Sequence, residues 1–545
     1  MNIDFPDMGG GIINDLPANQ IPKNAWSDGN NVRFIRAHVE KISGHSEIFG
    51  TASASGTIGS LALGQARWLI QSETSAGAIL WAYCDLDAIY ATDGVTHYDI
   101  SHSGTGSGSI SFGASEDYSW NGGLLNRYVV MNSHAQAPRW WLPSTANKTK
   151  ELSAWPASSM CRVLRTYKNY MVGIGWDEGA GGFNDQILRW SHPVDVGGNP
   201  TNASWDYTDT SLDSGRVEID DGFGRLVDCM PLRDDNIVYA EHAIYRMSPI
   251  VTGDVFAFRR VFSEVGLLTR NCIATVRNRH VIIGDGDIYL HNGNSIESIV
   301  TKRWKQWFFS QIGTHWRRSF VVPNYKNNEI WFCFPVADAI YPNKALIWSF
   351  DDNNLTSRDL PITPFIGYGR VPSNDNDTFD GGSMISFDDE TQLIFDQQPL
   401  ETTEQDMVMA QFQSSSASST QSLFFELDTG MRFDNDTYES YVEKDALILE
   451  PNGRFTQRNE YQVHAIRPRV SSSTGGSLGV RVGVRSALND PITWMDSATF
   501  DMSSDAKVDV RATGNIITVR FENSEAEDWE IDGFSVDFDR VGAQR

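Results

Sequence analysis

The chain has 545 residues and 60.8 kDa, too long for one ordinary core, and its size suggests two to four domains or one large repetitive body with additions. Charged residues make up only 21% and hydrophobic ones 40%, with 46 Gly, 28 Phe, 17 Tyr and 17 Trp, which excludes general disorder and the coiled-coil class and favours β-structure. Forty-four basic against seventy acidic residues leave a net charge of −26, which disfavours a protein that grips nucleic acid by neutralising phosphates but not one past which DNA slides.

The opening MNIDFPDMGGGIIND carries acids where a signal peptide needs a basic region, and no run of about 18 apolar residues occurs. Synthesis in a reducing compartment and no stable membrane insertion are expected. Pro6, Gly9, Gly10, Gly11, Pro17, Pro22 and Gly29 make residues 1–45 read as an extended arm, with the NVRFI stretch able to lend a strand to a neighbour.

From there two strand-like runs recur in a fixed order. The first is apolar: AILWAYC from Ala78, RYVVMNS from Arg127, NYMVGIG from Asn169, NIVYAE from Asn236, HVIIGD from His280 and EIWFCF from Glu329. The second ends in an aromatic: Tyr90, Trp141, Trp190, Tyr245, Tyr289 and Trp348, spaced 51, 49, 55, 44 and 59 residues apart. A small antiparallel sheet cannot cover its own apolar faces, and sheets packed around an axis cover one another. A period near 50 with about four strands per unit fits propeller blades better than solenoid coils. Six repeats therefore predict a six-bladed β-propeller over residues 46–400. A hairpin at 384–395 could be its last outer strands or a seventh blade in short form.

Between the fifth and sixth repeats lies TKRWKQWFFSQIGTHWRRSF, residues 301–320, with Lys302, Arg303, Lys305, Arg317 and Arg318 and no acid. Trp304, Trp307 and Phe308 stand at helical i, i+3, i+4 spacing, so a short helix is expected. Basic–aromatic interleaving can bind nucleic acid, dock on an acidic subunit, or simply pack on the propeller rim. Lys302, Arg303, Trp304, Lys305, Trp307, Arg317 and Arg318 are the candidate subunit-interface patch.

Residues 351–410 hold thirteen acids against Arg358 and Arg370. The SNDNDTFDGG stretch within them fails calcium-loop spacing, because Phe379 stands where a ligand belongs. Residues 401–422, ending in QFQSSSASSTQS, read as a linker. Beyond it, 423–545 contains YQVHAIRPRV, SLGVRVGVR, NIITVRFEN and GFSVDFDRV, with alternation at Val480, Val482 and Val484. A β-sandwich is the default for such a stretch. The fold class expected is thus all-β, a six-bladed propeller followed by a C-terminal sandwich.

Chemistry is sparse. GxSxG, HExxH, a Walker loop and GxGxxG before a helix are all missing. Adjacent acids such as Asp220 and Asp221, or Asp234 and Asp235, point to opposite faces of a strand and make poor acid/base partners. The five cysteines lie at least 43 residues apart and read as buried hydrophobes, and His280 reads as a structural residue. No catalytic residue, metal site or cofactor is expected.

Three segments carry a resemblance. They are Leu16–Pro17 with NAWSDGNNVRF from Asn24 and Gly44; VEIDDGFGRLVDCMPLRDDNIVYAEHAIYRM with VGLLTRN and GDGDIYL; and GNIITVR, WEIDGF, VDF and RVG near the C-terminus. Together they resemble the tail nozzle family of short-tailed bacteriophages, also called tail tubular protein B or packaged-DNA stabilisation protein. The resemblance implies a six-bladed propeller and a homohexameric ring at the distal tail that retains the packaged genome and conducts it during ejection. It implies contacts with adaptor or portal ring proteins, viral DNA passing the lumen without sequence-specific binding, and a place in the virion after synthesis in the host cytoplasm. Tail fibres or spikes would attach through insertions that this compact chain does not show. Acidic loops are then expected to line the DNA channel, with the 302–318 patch away from it. The alternative is a glycan- or receptor-binding propeller, or a sialidase-like glycosidase, although the S-x-D-x-G-x-T-W turns of sialidases are missing.

Overall fold

The computed structural model describes residues 1–13, 16–49, 52–53, 56–57, 62–101, 112–179, 181–250, 254–372, 405–412, 421–450, 453, 455–456, 458–470 and 476–543. All six apolar runs are second strands of four-stranded antiparallel sheets, and all six aromatic-ended runs are third strands. Blade 1 runs from Trp68–Glu73 to His97–Asp99, and blade 2 from Asn121–Leu125 to Lys150–Glu151. Blade 3 runs from Met160–Tyr167 to Gly215–Glu218, and blade 4 from Leu226–Leu232 to Phe256–Ser263. Blade 5 runs from Ile273–Val276 to Ile296–Ser298, and blade 6 from Phe320–Asn324 to Asn354–Asp359.

The middle strands are apolar throughout because each blade is sandwiched between two neighbours. Tyr128–Asn132 and Glu329–Phe334 are buried at every position. Tight turns link the strands; in blade 5 Arg277 and Asn278 both take positive φ, 46° and 61°, the signature of a two-residue hairpin loop.

A seventh sheet completes the ring, so the blade count is seven rather than six. It consists of Phe365–Gly369, Asp406–Phe412 and Ser422–Leu427, closed on its outer edge by His45–Ile48 from the other end of the chain. First strands of successive blades meet around the axis, those of blades 4 and 5 through Thr275 Oγ1 and Met230 Sδ at 3.5 Å, and that of blade 7 meets that of blade 1. Two of the seventh blade's strands lie in or beside the segment read as a linker, and its fourth straddles the boundary expected between arm and propeller at residue 45. The hairpin expected at 384–395 and the acidic turn at 373–382 lie outside the described residues.

The C-terminal region is the expected β-sandwich, but it is not built from the C-terminus alone. One sheet orders Val32–Ile35, His38–Lys41, Glu530–Ala543, Asn459–Val470 and Val508–Gly514, with Asn2–Phe5 also paired to Glu530–Ala543. The other orders Asp28–Asn30, Ser440–Lys444, Ile516–Asn523, Ser477–Arg485 and Thr493–Trp494, with Ala498–Asp501 also on Ser477–Arg485. Residues 1–45 are therefore not an extended arm: four of their strands belong to the sandwich. The propeller is an insertion within that sandwich. Val480 and Val482 fill its interior as the alternation required, while Val484 is only half-buried against it, and Leu447 and Leu449 of the DALILEP run are core residues without strand pairing.

Both domains share one core. Trp26 is buried between Phe521 and Phe534, and its Nε1 donates to the Met8 carbonyl at 2.8 Å. The same apolar cluster runs on to Ile282, Trp304, Phe308 and Phe334 of the propeller side. At the junction Arg33 meets Glu329 at 2.6 Å and Asp428 at 2.9 Å, and Arg358, fully buried, meets Asp428 at 3.0 Å. Gly44 lies at the same place: a side chain there would sit 1.8 Å from the Arg432 carbonyl oxygen.

His280 is structural, as expected. Gly293 N–H donates to His291 Nδ1 at 3.2 Å, which leaves the proton on His291 Nε2 to donate to Tyr239 Oη at 2.7 Å. Tyr239 then donates to His280 Nδ1 at 2.7 Å, and His280 Nε2 donates to the Pro231 carbonyl at 2.9 Å. Every group is satisfied with both rings neutral, so protonation has no place there. Burial holds His280 down at about 4 and, with the charge of His280, holds His291 down at about 3. Burial likewise lowers His45 to about 3, with Arg358 adding to it, lowers His134 to about 4, and lowers His97.

These shifts predict acid lability. Below the ordinary histidine value of about 6.5 the unfolded chain takes up protons that five folded histidines refuse, so stability falls as pH falls. Glu40, Glu47 and Glu443, each pushed up to about 7 chiefly by burial, act the other way: they contribute stability below the ordinary carboxyl value and lose it as pH rises through 7. Asp28, Glu426 and Asp528 are raised by burial as well, so six carboxyls oppose the five histidines between pH 5 and pH 7. Below about pH 4.5 the raised carboxyls are protonated in both states and the histidine cost goes unopposed, which leaves a lower melting temperature at pH 4 than at pH 5. A higher one at pH 4, in a thermal unfolding series, would contradict this balance.

Candidate functional site

The basic–aromatic stretch forms the expected helix, α1, Lys302–Gln311. Its aromatic face is committed within the chain. Trp304 is buried, with its Nε1 donating to the Ile12 carbonyl at 3.4 Å, and packs edge-on against Trp307 with ring centroids 5.2 Å apart. Trp307 and Phe308 both pack edge-on against Phe334 of blade 6. Lys305 pairs with Asp287, and Arg303 donates to the Leu16 carbonyl at 3.5 Å. Lys302 and Arg303 are exposed.

Arg317 and Arg318 are not part of that surface. They sit in a 3-10 turn, Trp316–Arg318, immediately before the first strand of blade 6. First strands surround the axis and all run the same way, so the residues that precede them gather at one axial end of the propeller. Two adjoining depressions open there. Arg67, Glu116, Arg270, Arg317, Ser319 and Tyr341 line the first, and Asp117, Arg162, Arg225, Arg270 and Arg317 line the second.

Most charges at this mouth are paired. Arg67 holds Asp85 and, at 2.7 Å, Glu116, which also accepts from the Tyr341 hydroxyl. Arg162 meets Asp185 at 2.6 Å while lying over the Tyr118 and Phe183 rings. Arg165 grips Asp228 through two hydrogen bonds of 2.8 and 2.7 Å, and Arg225 meets Glu241 at 2.7 Å. Arg318 meets Asp117 at 3.1 Å. Glu116 is held below the usual carboxylate range because Arg67, Tyr341 and Arg318 outweigh the opposing effect of burial.

The sequence reading found Arg317 and Arg318 but missed Arg67, Arg162, Arg225 and Arg270. Their signal is positional: each stands within three residues of the start of a first strand. The repeat shows in the second and third strands, and these positions lie outside its register.

All five cysteines are buried and unpaired, as expected, and burial raises their thiols. On the sandwich, ligand atoms of His38, Glu530 and Asp532 lie within 4.8 Å of one another, all half-buried. Acidic groups of this kind commonly cluster without an ion. Among the described residues no helix is long and apolar enough to cross a membrane.

No family model matches the chain, and no curated protein matches it. Among solved structures it is similar to the WD40 β-propeller domain of Doa1, at 9% identity over 70% of this chain and 97% of that one, with a TM-score of 0.38. The AfRom2 CNH domain gives 9% identity, 72% and 99% coverage and 0.33; the extracellular domain of BT4673 from B. thetaiotaomicron gives 9%, 78% and 43%, and 0.34. The propeller assignment rests on the closed ring of four-stranded sheets itself: this chain is an all-β protein with a propeller set into a β-sandwich.

Proposed function

We propose that this chain is a structural subunit of a short-tailed phage tail, a nozzle-type protein whose copies form a ring that retains the packaged genome and conducts it during ejection. The observation that supports this reading is where the resembling segments lie. Trp26, Asn31, Arg33 and Gly44 from one end of the sequence, and Trp529, Ile531 and Phe534 from the other, meet at the junction of sandwich and propeller. Across it Arg33 meets Glu329 of blade 6 at 2.6 Å, Asn31 Nδ2 donates to Asp359 at 3.1 Å, and Arg358 donates to the Gly44 carbonyl at 3.1 Å. The N-terminal residues that carry the resemblance are thus among those that join the two domains.

In this reading the partners are further copies, six to a ring, with adaptor or portal proteins above. The chain performs no chemistry of its own. A net charge of −26 per subunit suits a conduit that must release phosphates rather than hold them. Light scattering should give six times the 60.8 kDa chain mass, and electron microscopy should show sixfold rings or sixfold density at the tail end of virions containing the protein. A monomer that is also missing from virions would sink the proposal.

A further inference from the structure

Two guanidiniums at the axial mouth have no carboxylate partner among the described residues, although the chain carries an excess of acids. Arg270 is only 7% exposed. Its Nη2 donates to the Asp117 carbonyl at 3.3 Å, while its Nη1 is buried without any partner. Arg317 lies over the Trp316 ring, and its Nε is likewise buried and unpartnered. Beside them Ser319, 2% exposed, has a buried hydroxyl without a partner. All three line the same depression.

Leaving a buried polar group without a partner forfeits its hydration with nothing in return, more so when it is charged, so such groups call for an explanation. Here three unsatisfied groups line one depression, and all three can donate. The acids that could have answered them are engaged elsewhere: Glu116 by Arg67 and Tyr341, Asp117 by Arg318. Burial and the neighbouring charge of Arg165 already strain Arg270, lowering it to about 10. A planar carboxylate offers two oxygens in one plane. A tetrahedral oxyanion offers oxygens in several directions, which suits donors arriving from the leading segments of blade 5 and blade 6.

We propose that the axial mouth is an anion site, in which Arg270, Arg317 and Ser319 receive a tetrahedral oxyanion of the phosphate class. The site is independent of the tail reading, since it uses only the propeller's own residues. Occupancy would tie the leading segments of blades 5 and 6 together at the axis.

The test is thermal unfolding of the full chain titrated with inorganic phosphate, against sodium chloride at matched ionic strength and against acetate. Because a ligand that binds only the folded state stabilises it, phosphate is expected to give a saturable rise of roughly 3 °C beyond chloride. Arg317→Ala removes a half-buried side chain without an ion pair, so it should fold normally and weaken phosphate at least tenfold, as should Ser319→Ala. Arg270→Met should abolish the response and raise the melting temperature without phosphate, because it removes an uncompensated buried charge. A wild-type response no larger than that to chloride, or one retained in Arg317→Ala and Ser319→Ala, would overturn the site. An equal response to acetate would overturn the tetrahedral assignment in favour of a carboxylate.

Discussion

Replacing Asp428 with alanine is expected to destabilise the fold by about 3–5 kcal/mol, the cost of stranding buried charge. Asp428 accepts from Arg33 at 2.9 Å, Arg358 at 3.0 Å, Asn324 at 2.6 Å and Asn327 at 2.9 Å. With Glu329, which takes Arg33 through two hydrogen bonds and the Trp331 indole at 2.9 Å, it balances two guanidiniums with two carboxylates. Removing Asp428 leaves Arg358 facing the Trp331 and Phe433 rings with no counter-charge. Burial pushes the Asp428 carboxyl up, but the two arginines outweigh it and hold it below its ordinary value. Its contribution is therefore present above about pH 4 and is lost as pH falls further. Arg277→Ala is the control, because its partner Asp351 is exposed and such pairs contribute about 0–1 kcal/mol. Urea midpoints of the two variants should differ clearly; equal midpoints would show that the quartet does not hold the junction.

Deleting residues 1–48 is expected to prevent folding, whereas deleting 1–43 should lose the sandwich and leave the propeller closed, though weakened by the loss of Arg33. The shorter deletion removes Asn2–Phe5, Asp28–Asn30, Val32–Ile35 and His38–Lys41, and with them Trp26 and four strands of the two sandwich sheets. The longer one also removes His45–Ile48, which closes blade 7 against Ser422–Leu427. Without it Phe425 and Leu427 lie on an open edge, and the ring loses its closure. The two truncations separate by near-UV circular dichroism and limited proteolysis. A protease-resistant core of blade size and number from the 49–545 chain would show that His45–Ile48 is dispensable.

The sequence pattern located six blades because their second and third strands are buried on both faces and end on large aromatics. The seventh escaped for two physical reasons. Its strands DMVMAQF and SLFFEL are interrupted by polar and acidic stretches that break the period, and its fourth strand, HSEI, has a single fully buried residue and comes from the far end of the chain. The arm was misjudged for a related reason. Its strands are only three or four residues long, and separated by prolines and glycines they carry no periodicity until paired with Ser440–Lys444 and Glu530–Ala543. Helix α1 was legible from Trp304, Trp307 and Phe308, because a single amphipathic turn states its spacing locally. The axial mouth was not, since Arg67, Arg162, Arg225, Arg270 and Arg317 converge only through ring closure, and no local pattern encodes that.

Setting the propeller inside the sandwich also imposes an order on synthesis. The strands before residue 42 emerge first, yet Asn2–Phe5 pairs with residues 534–537, at the other end of the chain. At bacterial and eukaryotic elongation rates of about 5–20 residues per second, that partner follows after roughly 25–100 s. The seven blades are complete once Leu427 has left the ribosome, so the propeller can close while its host domain is still half made. Throughout that interval Phe5 and Trp26 lack Phe521 and Phe534, the rings against which they pack. The nascent protein thus exposes the apolar half of an unfinished sandwich beside a finished ring, which makes the N-terminal 41 residues the segment for which a chaperone has most to do.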